Sequence, residues 1–299
     1  MSFLGTPLVA DTLARLAQRG PRPRIRAQLS FAELPVRTDP VTIPARHGDV
    51  RAVVYRPDAA EDRPPVYVNF HGGGFVMRHP AQDDPLCRYL AANASAAVVN
   101  VDYDVAPRHR FPEPVEEAYD IITWVSRAGH GWDGSRLCAG GQSAGGALAA
   151  GASRLALELG GPAIALQVLH YPPLDLVTPA RDKRAAAGRS AISVPMAEFF
   201  SAAYIPSPDA RRDRLASPAW GSNGGGIEGI APALVITCEN DRLHDEGEAY
   251  AGKLDAAGAL REHLDIAGAD HGYNLRGRDR AVVEHSYQLI AKHVIDATT

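Results

Sequence analysis

Cysteine is scarce in this chain. Cys87, Cys138 and Cys238 are its three thiols, an odd number with no Cys-x-x-Cys pair. That argues against a disulfide framework, offers no thiolate spacing for zinc, and points to a reducing, cytoplasmic setting. Also lacking is any stretch near the ~20 consecutive apolar residues that a membrane helix needs. Met1-Ser2-Phe3-Leu4-Gly5 has neither the charged start nor the long apolar run of a secretory leader. Membrane insertion is therefore not expected. No basic stretch is interleaved with aromatics and the net charge is −4, so nucleic acid is not an expected partner. Short arginine clusters at 22–26 and 211–214 read as solvated faces or loops. There is no internal repeat or low-complexity tract, and Gly224-Gly225-Gly226 reads as a surface loop.

What is present is ordinary globular composition: 45% hydrophobic and 22% charged residues over a length of 299. That suffices for one α/β domain spanning 1–299 with a full core. Residues 7–19 read as an amphipathic helix marked by Leu8, Leu13 and Leu16 and ended by Gly20-Pro21-Arg22-Pro23. Strands are expected near 39–45, 51–56, 66–70, 96–102, 137–141, 164–170, 233–238 and 261–266. Helices are expected from Pro114, after the 137–141 strand, from Asp245, and near 280–296. In the first, Val115, Ala118, Tyr119, Ile122 and Val125 share one face. Alternating strands and helices argue for a mostly parallel sheet covered on both faces. Residues 178–220 interrupt the alternation.

The most informative stretch is Gly141-Gln142-Ser143-Ala144-Gly145, between a short apolar strand and an Ala-rich helix. G-x-S-x-G in that setting is the form of a nucleophile elbow. The turn is so tight that the serine is strained, and a side chain at either glycine would meet a neighbouring strand or helix. The strain lifts the hydroxyl clear of the sheet at a helix N-terminus, where negative charge is favoured. His71-Gly72-Gly73-Gly74 follows the apolar run 66–70. Its glycines can turn several backbone N–H groups into one small space, as an oxyanion hole requires. A phosphate loop is excluded because neither G-x-G-x-x-G nor a Gly-Lys-Ser/Thr ending occurs.

A nucleophilic serine needs a base, and the base an orienting acid. Of 11 histidines, His271 stands out, in the small Gly-bounded loop Gly268-Ala269-Asp270-His271-Gly272-Tyr273 after a strand. His170, at another strand end, is its rival; His244, His263, His285 and His293 read as surface residues. Asp241 follows the strongest late strand and is the preferred acid. Asp245 has an alternative reading as a helix N-cap, with Glu246 and Glu248 in the first turn. Asp270 is adjacent to His271, but neighbouring loop side chains rarely face each other. The chain order Ser143, Asp241, His271 is that of α/β-hydrolases.

These segments together resemble the hormone-sensitive-lipase-like family of α/β-hydrolase esterases. Asp102-Tyr103-Asp104-Val105-Ala106-Pro107 is similar to the family's Asp-Tyr-Arg-Leu-Ala-Pro segment. Asp241-Arg242-Leu243-His244-Asp245-Glu246-Gly247 is similar to its Asp-Pro-Leu-x-Asp-Glu-Gly, and His271-Gly272-Tyr273 to its His-Gly-Phe. The resemblance implies Ser143, Asp241 and His271 as the catalytic set and the N–H groups of Gly73, Gly74 and Ala144 as oxyanion donors. It makes His71 the residue that braces the loop. It also implies a helical cap from about 1–35 and 178–220, with Phe75, Met196, Phe199, Phe200 and Tyr204 as candidate pocket side chains. The sequence departs from the family at Arg78, usually Gly, and Asp104, usually Arg. It departs again at Gln142, usually Asp, and Arg242, usually Pro.

The expected activity is hydrolysis of small esters with short to medium acyl chains through an acyl-enzyme, with no metal and no cofactor. Amide, formamide or thioester cleavage on the same fold is the alternative, and a non-catalytic ligand-binding relative is a further one. The partner expected is a small-molecule ester; a homodimer is compatible with the sequence.

Overall fold

The computed structural model describes residues 6–20, 25–58 and 62–299. The leader reading on residues 1–5 and the helix stop at Pro21-Arg22-Pro23 lie outside them, as does part of the expected 1–35 cap element.

Eight strands form one sheet in the order β1-β2-β4-β3-β5-β6-β7-β8. They are β1 (Val36–Ala45), β2 (Gly48–Pro57), β3 (Pro65–Phe70), β4 (Ala97–Asp102), β5 (Asp133–Gln142), β6 (Leu166–His170), β7 (Ala233–Cys238) and β8 (Leu260–Ile266). β2 runs antiparallel to both neighbours, and the remaining pairs are parallel. The period of two along each strand sorts side chains between two cores. On β3, Val66, Val68 and Phe70 enter one core, which also holds residues of α3 (Glu113–Val125), α4 (Ala144–Leu159) and α6 (His244–Ala256). Tyr67 enters the other, with residues of α2 (Asp84–Asn93) and α8 (Arg280–Thr298). Central strands buried on both faces read as unbroken apolar runs, as in Val98-Val99 and Leu234-Val235-Ile236.

Two short expectations need correction. The helix α1 (Pro7–Ala17) buries Ala10 and Ala14, while Leu8 and Leu16 are 81% and 57% exposed. The small alanine face packs where α1 meets α5 (Val194–Tyr204), whose Ala202 and Ala203 are also buried. Two helices were not expected, α2 and the single turn α7 (Tyr273–Arg276). The signal for α2 was there: Pro85 in its first turn, then Leu86, Leu90 and Tyr89 on a buried face.

Parallel strands bring their carboxyl ends to one edge, which is where sites form in such sheets. His71 follows β3 directly, Ser143 follows β5 and Tyr171 follows β6. Asp241 and His271 sit in the loops after β7 and β8.

Candidate active site

Ser143 takes φ 52° and ψ −124°, a region that costs a non-glycine residue about 1–3 kcal/mol. Its N–H donates to the His170 carbonyl at 2.8 Å, and its own carbonyl accepts from Gly146 N at 2.9 Å. The glycines do what the motif requires. A Cβ on Gly145 would stand 1.8 Å from the Phe70 carbonyl oxygen, and one on Gly141 2.3 Å from the same atom. The elbow therefore crosses the end of β3 with no space for a methyl group.

Three predicted residues from three loops meet at this point. His271 Nε2 is 2.9 Å from Ser143 Oγ, and His271 Nδ1 is 2.6 Å from Asp241 Oδ2. A carboxylate only accepts, so Nδ1 carries the proton and Nε2 faces the hydroxyl as an acceptor. Asp241 is 1% exposed. Its second oxygen accepts the Leu243 N–H at 3.1 Å, just ahead of α6. That replaces the cap expected from Asp245: the residue at the N-cap position is Leu243, and Asp245 already lies inside the helix. Asp270 accepts from the His271 backbone N–H, and from Ser190 Oγ and Ala191 N, but does not touch the imidazole. His170, the rival base, is buried under the elbow with Nε2 against the Tyr273 hydroxyl at 2.9 Å. Burial, with His271 nearby, holds its pKa at about 3. His244, His263, His285 and His293 do not line the cavity described below.

The glycine loop is shaped from behind. The Gly72 carbonyl accepts from His71 Nδ1 at 2.7 Å and from Gln82 Nε2 at 2.7 Å. His71 is buried, stacks on Tyr103 at 4.3 Å, and has its pKa depressed to about 4 by burial. Tyr103 in turn donates to the His71 carbonyl at 2.8 Å. His71 thus lies where a loop brace would, and Gln82 and Tyr103 share that work; neither was anticipated. Gly73 has φ +134° and Gly74 φ +61°, and a Cβ on Gly74 would strike the Phe200 ring at 2.4 Å. Among the described residues, the Gly73 and Gly74 N–H groups have no backbone acceptor. The Ala144 N–H opens α4 and so has no partner within its helix.

A cavity of about 540 Å³ opens over Ser143 and His271. Its floor is Gly72 to Phe75 and Tyr171; α1, the chain around 173–183, and Met196 and Phe200 of α5 cover it. Phe199 and Tyr204 do not line it. Phe199 packs on Phe200 at 5.0 Å and against the core. Tyr204, at the far end of α5, is fully buried and stacks on Phe75 at 3.9 Å.

The four departures from the family pattern have distinct surroundings. Arg78 Nη1 donates to Asp104 Oδ1 at 2.9 Å, so two of them form one ion pair, extended by Arg78 Nε to Asp102 at 2.8 Å. Gln142 donates to the buried Asp83, and Gln142 Oε1 accepts from Tyr171 and from Asn274 at 2.7 Å. Burial raises the Asp83 pKa to about 7 although Asn69 and Gln142 oppose it. Arg242 donates to the carbonyls of Ile192, Ala180 and Lys183 at 2.9–3.1 Å. Residues 211–214 are not the uniform solvated cluster expected. Arg214 pairs with Glu158 and Arg212 lies over Trp220, while Arg211 forms part of the cavity wall.

All three cysteines are buried and free. Among the described residues, the His/carboxylate group close enough to share a metal is His244, Asp245 and Glu248; none of them lines the cavity. No helix among the described residues is long and apolar enough to cross a membrane.

Residues 67–275 match the family model of the α/β-hydrolase fold. The chain is 33% identical over 277 residues to a carboxylesterase, NlhH, of Mycobacterium tuberculosis, covering 91% of this chain and 84% of that one. It superposes on an esterase of Pyrobaculum calidifontis with a TM-score of 0.80 at 33% identity, covering 96% of this chain and 99% of the other. A thermostable esterase of Pseudomonas putida gives a TM-score of 0.81 at 29% identity, covering 100% and 93%. The sheet order, the elbow and these relatives agree: the chain belongs to the α/β-hydrolase family, in its hormone-sensitive-lipase-like group of carboxylic ester hydrolases.

Proposed function

We propose that Ser143 is the nucleophile of a carboxylesterase that hydrolyses small esters with short to medium acyl chains. His271 Nε2 accepts the Ser143 proton as Oγ attacks the ester carbonyl. The N–H groups of Gly73, Gly74 and Ala144 receive the oxyanion. The intermediate then expels the alcohol, which takes its proton from His271, and leaves the acyl group on Ser143. Water, deprotonated by the same nitrogen, attacks the acyl carbonyl, and the acid departs as Oγ regains a proton. Asp241 keeps Nδ1 protonated throughout and stabilises the imidazolium between steps.

The observation that carries this reading is the line of contacts from Ser143 Oγ to His271 at 2.9 Å and on to Asp241 at 2.6 Å. The cavity above it, bounded by Phe75, Met196 and Phe200, suits a modest acyl chain. In the same reading, α1 and the 178–220 segment act as the cap of one domain. The relatives named esterases support ester over amide or thioester cleavage.

The test is hydrolysis of p-nitrophenyl esters from acetate to long-chain acyl, with Ser143→Ala alongside. Turnover should favour the short and medium chains and fall by about 10⁴-fold or more in the variant. A well-folded wild-type protein that turns over no ester would overturn the reading.

A further inference from the structure

We infer that Arg211 selects esters that carry a carboxylate remote from the scissile bond, an assignment that rests on the esterase reading above. Arg211 belongs to the wall of the cavity that also holds Ser143 and His271. Its backbone is pinned, because its carbonyl accepts from Ser217 Oγ at 2.7 Å. Its guanidinium is oriented, because Nε donates to the Ile205 carbonyl at 2.9 Å. Among the described residues, Nη1 and Nη2 have no protein acceptor and remain accessible to solvent, and no carboxylate pairs with this side chain.

The other cations of the cavity differ. Arg78 is matched by Asp102 and Asp104, and Lys183 by Glu246. Arg181 and Arg276 are exposed to solvent, where a charge needs no partner. Arg211 is half-buried, and burial lowers its pKa with no carboxylate opposing the shift. The cavity's acids are committed as well. Asp175 accepts from the N–H groups of Val177 and Thr178 and from the Thr178 hydroxyl, and Glu198 is also engaged. A guanidinium partly shielded from water, held in one orientation and left with both Nη groups open, is placed to pair with an anion that arrives with the ligand. Two free Nη groups on a fixed plane match the two oxygens of a carboxylate. The ligand class is therefore an ester with a terminal carboxylate. The charge can sit on the acyl side, as in a half-ester of a dicarboxylic acid, or on the alcohol side, as in an acylated hydroxy acid.

Two substrate pairs separate these sources. Monoethyl adipate against ethyl heptanoate tests the acyl side, and ω-acetoxypentanoate against hexyl acetate tests the alcohol side. In wild-type protein, one pair should show kcat/KM higher for the charged member than for its neutral counterpart. In Arg211→Met, that ratio should fall about ten- to hundredfold, the worth of one charge-assisted bond. Arg211→Lys keeps the charge without the fork and should give an intermediate ratio; it also serves if the Met variant does not fold. A wild-type protein that hydrolyses neutral esters but prefers the charged member of neither pair would overturn the assignment. So would a ratio unchanged in both variants. Failure to hydrolyse any of the four esters would overturn the esterase reading, and this assignment with it.

Discussion

At the carboxyl edge of the sheet, a methyl group on Gly145 would lie 1.8 Å from a carbonyl oxygen, whereas Gly188, in the segment that covers the cavity, has open space around it. The floor of the site is built from backbone. β5 ends alongside β3, the elbow that follows passes over the Phe70 carbonyl with no side chain between them, and Ser143 at that turn takes a positive φ. The cover is built from side chains reaching to backbone. Arg242 spans three carbonyls of residues 180–192, and Asp270 takes Ser190 and Ala191 from the other side. Lys183 closes on Glu246, whose other oxygen accepts the Leu174 N–H at 2.8 Å. The residues doing the clamping, Arg242 and Asp270, are direct neighbours of Asp241 and His271. The floor sets where the hydroxyl stands; the cover is tied to the loops that carry Asp241 and His271.

That contrast is broken most sharply at Gly145. Gly145→Ala should cost more than about 5 kcal/mol, or prevent folding, because backbone rather than a movable side chain blocks the methyl. Soluble yield and a thermal melt check it. Recovery of a protein with near-native Tm would show that the floor can yield.

Two buried acids sharpen the comparison next. Burial raises both Asp83, in the floor, and Glu246, under the cover, to a pKa of about 7. A folded-state pKa above the unfolded value means stability that is full below about pH 4 and lost as pH rises through 7. Asp83 has only amide partners, from Asn69 and Gln142. Asp83→Asn should therefore gain on wild type by roughly 2–3 kcal/mol between pH 5 and pH 8. Glu246→Gln should instead lose stability, by about 3 kcal/mol, because it strands Lys183. Denaturant melts at pH 5 and pH 8 read both: an Asp83→Asn gain that does not grow with pH, or a Glu246→Gln variant no less stable than wild type at pH 5, would break the distinction.

The cover alone is probed by Arg242→Met. Loss of its bonds to the Ile192, Ala180 and Lys183 carbonyls should raise KM about tenfold, the equivalent of about 1.4 kcal/mol, with a smaller change in kcat. Steady-state kinetics on one ester suffices. The smallest effect belongs to Gly188→Ala, where φ +70° imposes strain of about 1–2 kcal/mol but nothing blocks the methyl. Its melt should fall by a few degrees with kinetics unchanged.

The same contrast decides what could be read from the chain. Ser143, Asp241 and His271 were legible because each follows a strand, so a one-dimensional pattern already placed them on one edge. Gly141 and Gly145 were legible because the motif leaves no room for a side chain on either side of the serine. The cover was not, since its contacts join residues tens of positions apart, as Arg242 joins Ala180. Arg78 and Asp104 looked like two separate departures and are one ion pair. Phe199 and Tyr204 stood among the candidate pocket residues because the resemblance implies a helical cap there without saying where along it the cavity ends. Arg211 looked like part of a charged surface because pairing cannot be counted from sequence.

The central claim, a serine activated by His271 in a strained elbow, is tested most directly by covalent labelling. A fluorophosphonate should add once per chain, on Ser143 by peptide mapping, and at a rate lower by about 10³-fold or more in His271→Ala. Labelling at another residue, or an unchanged rate in that variant, would contradict it.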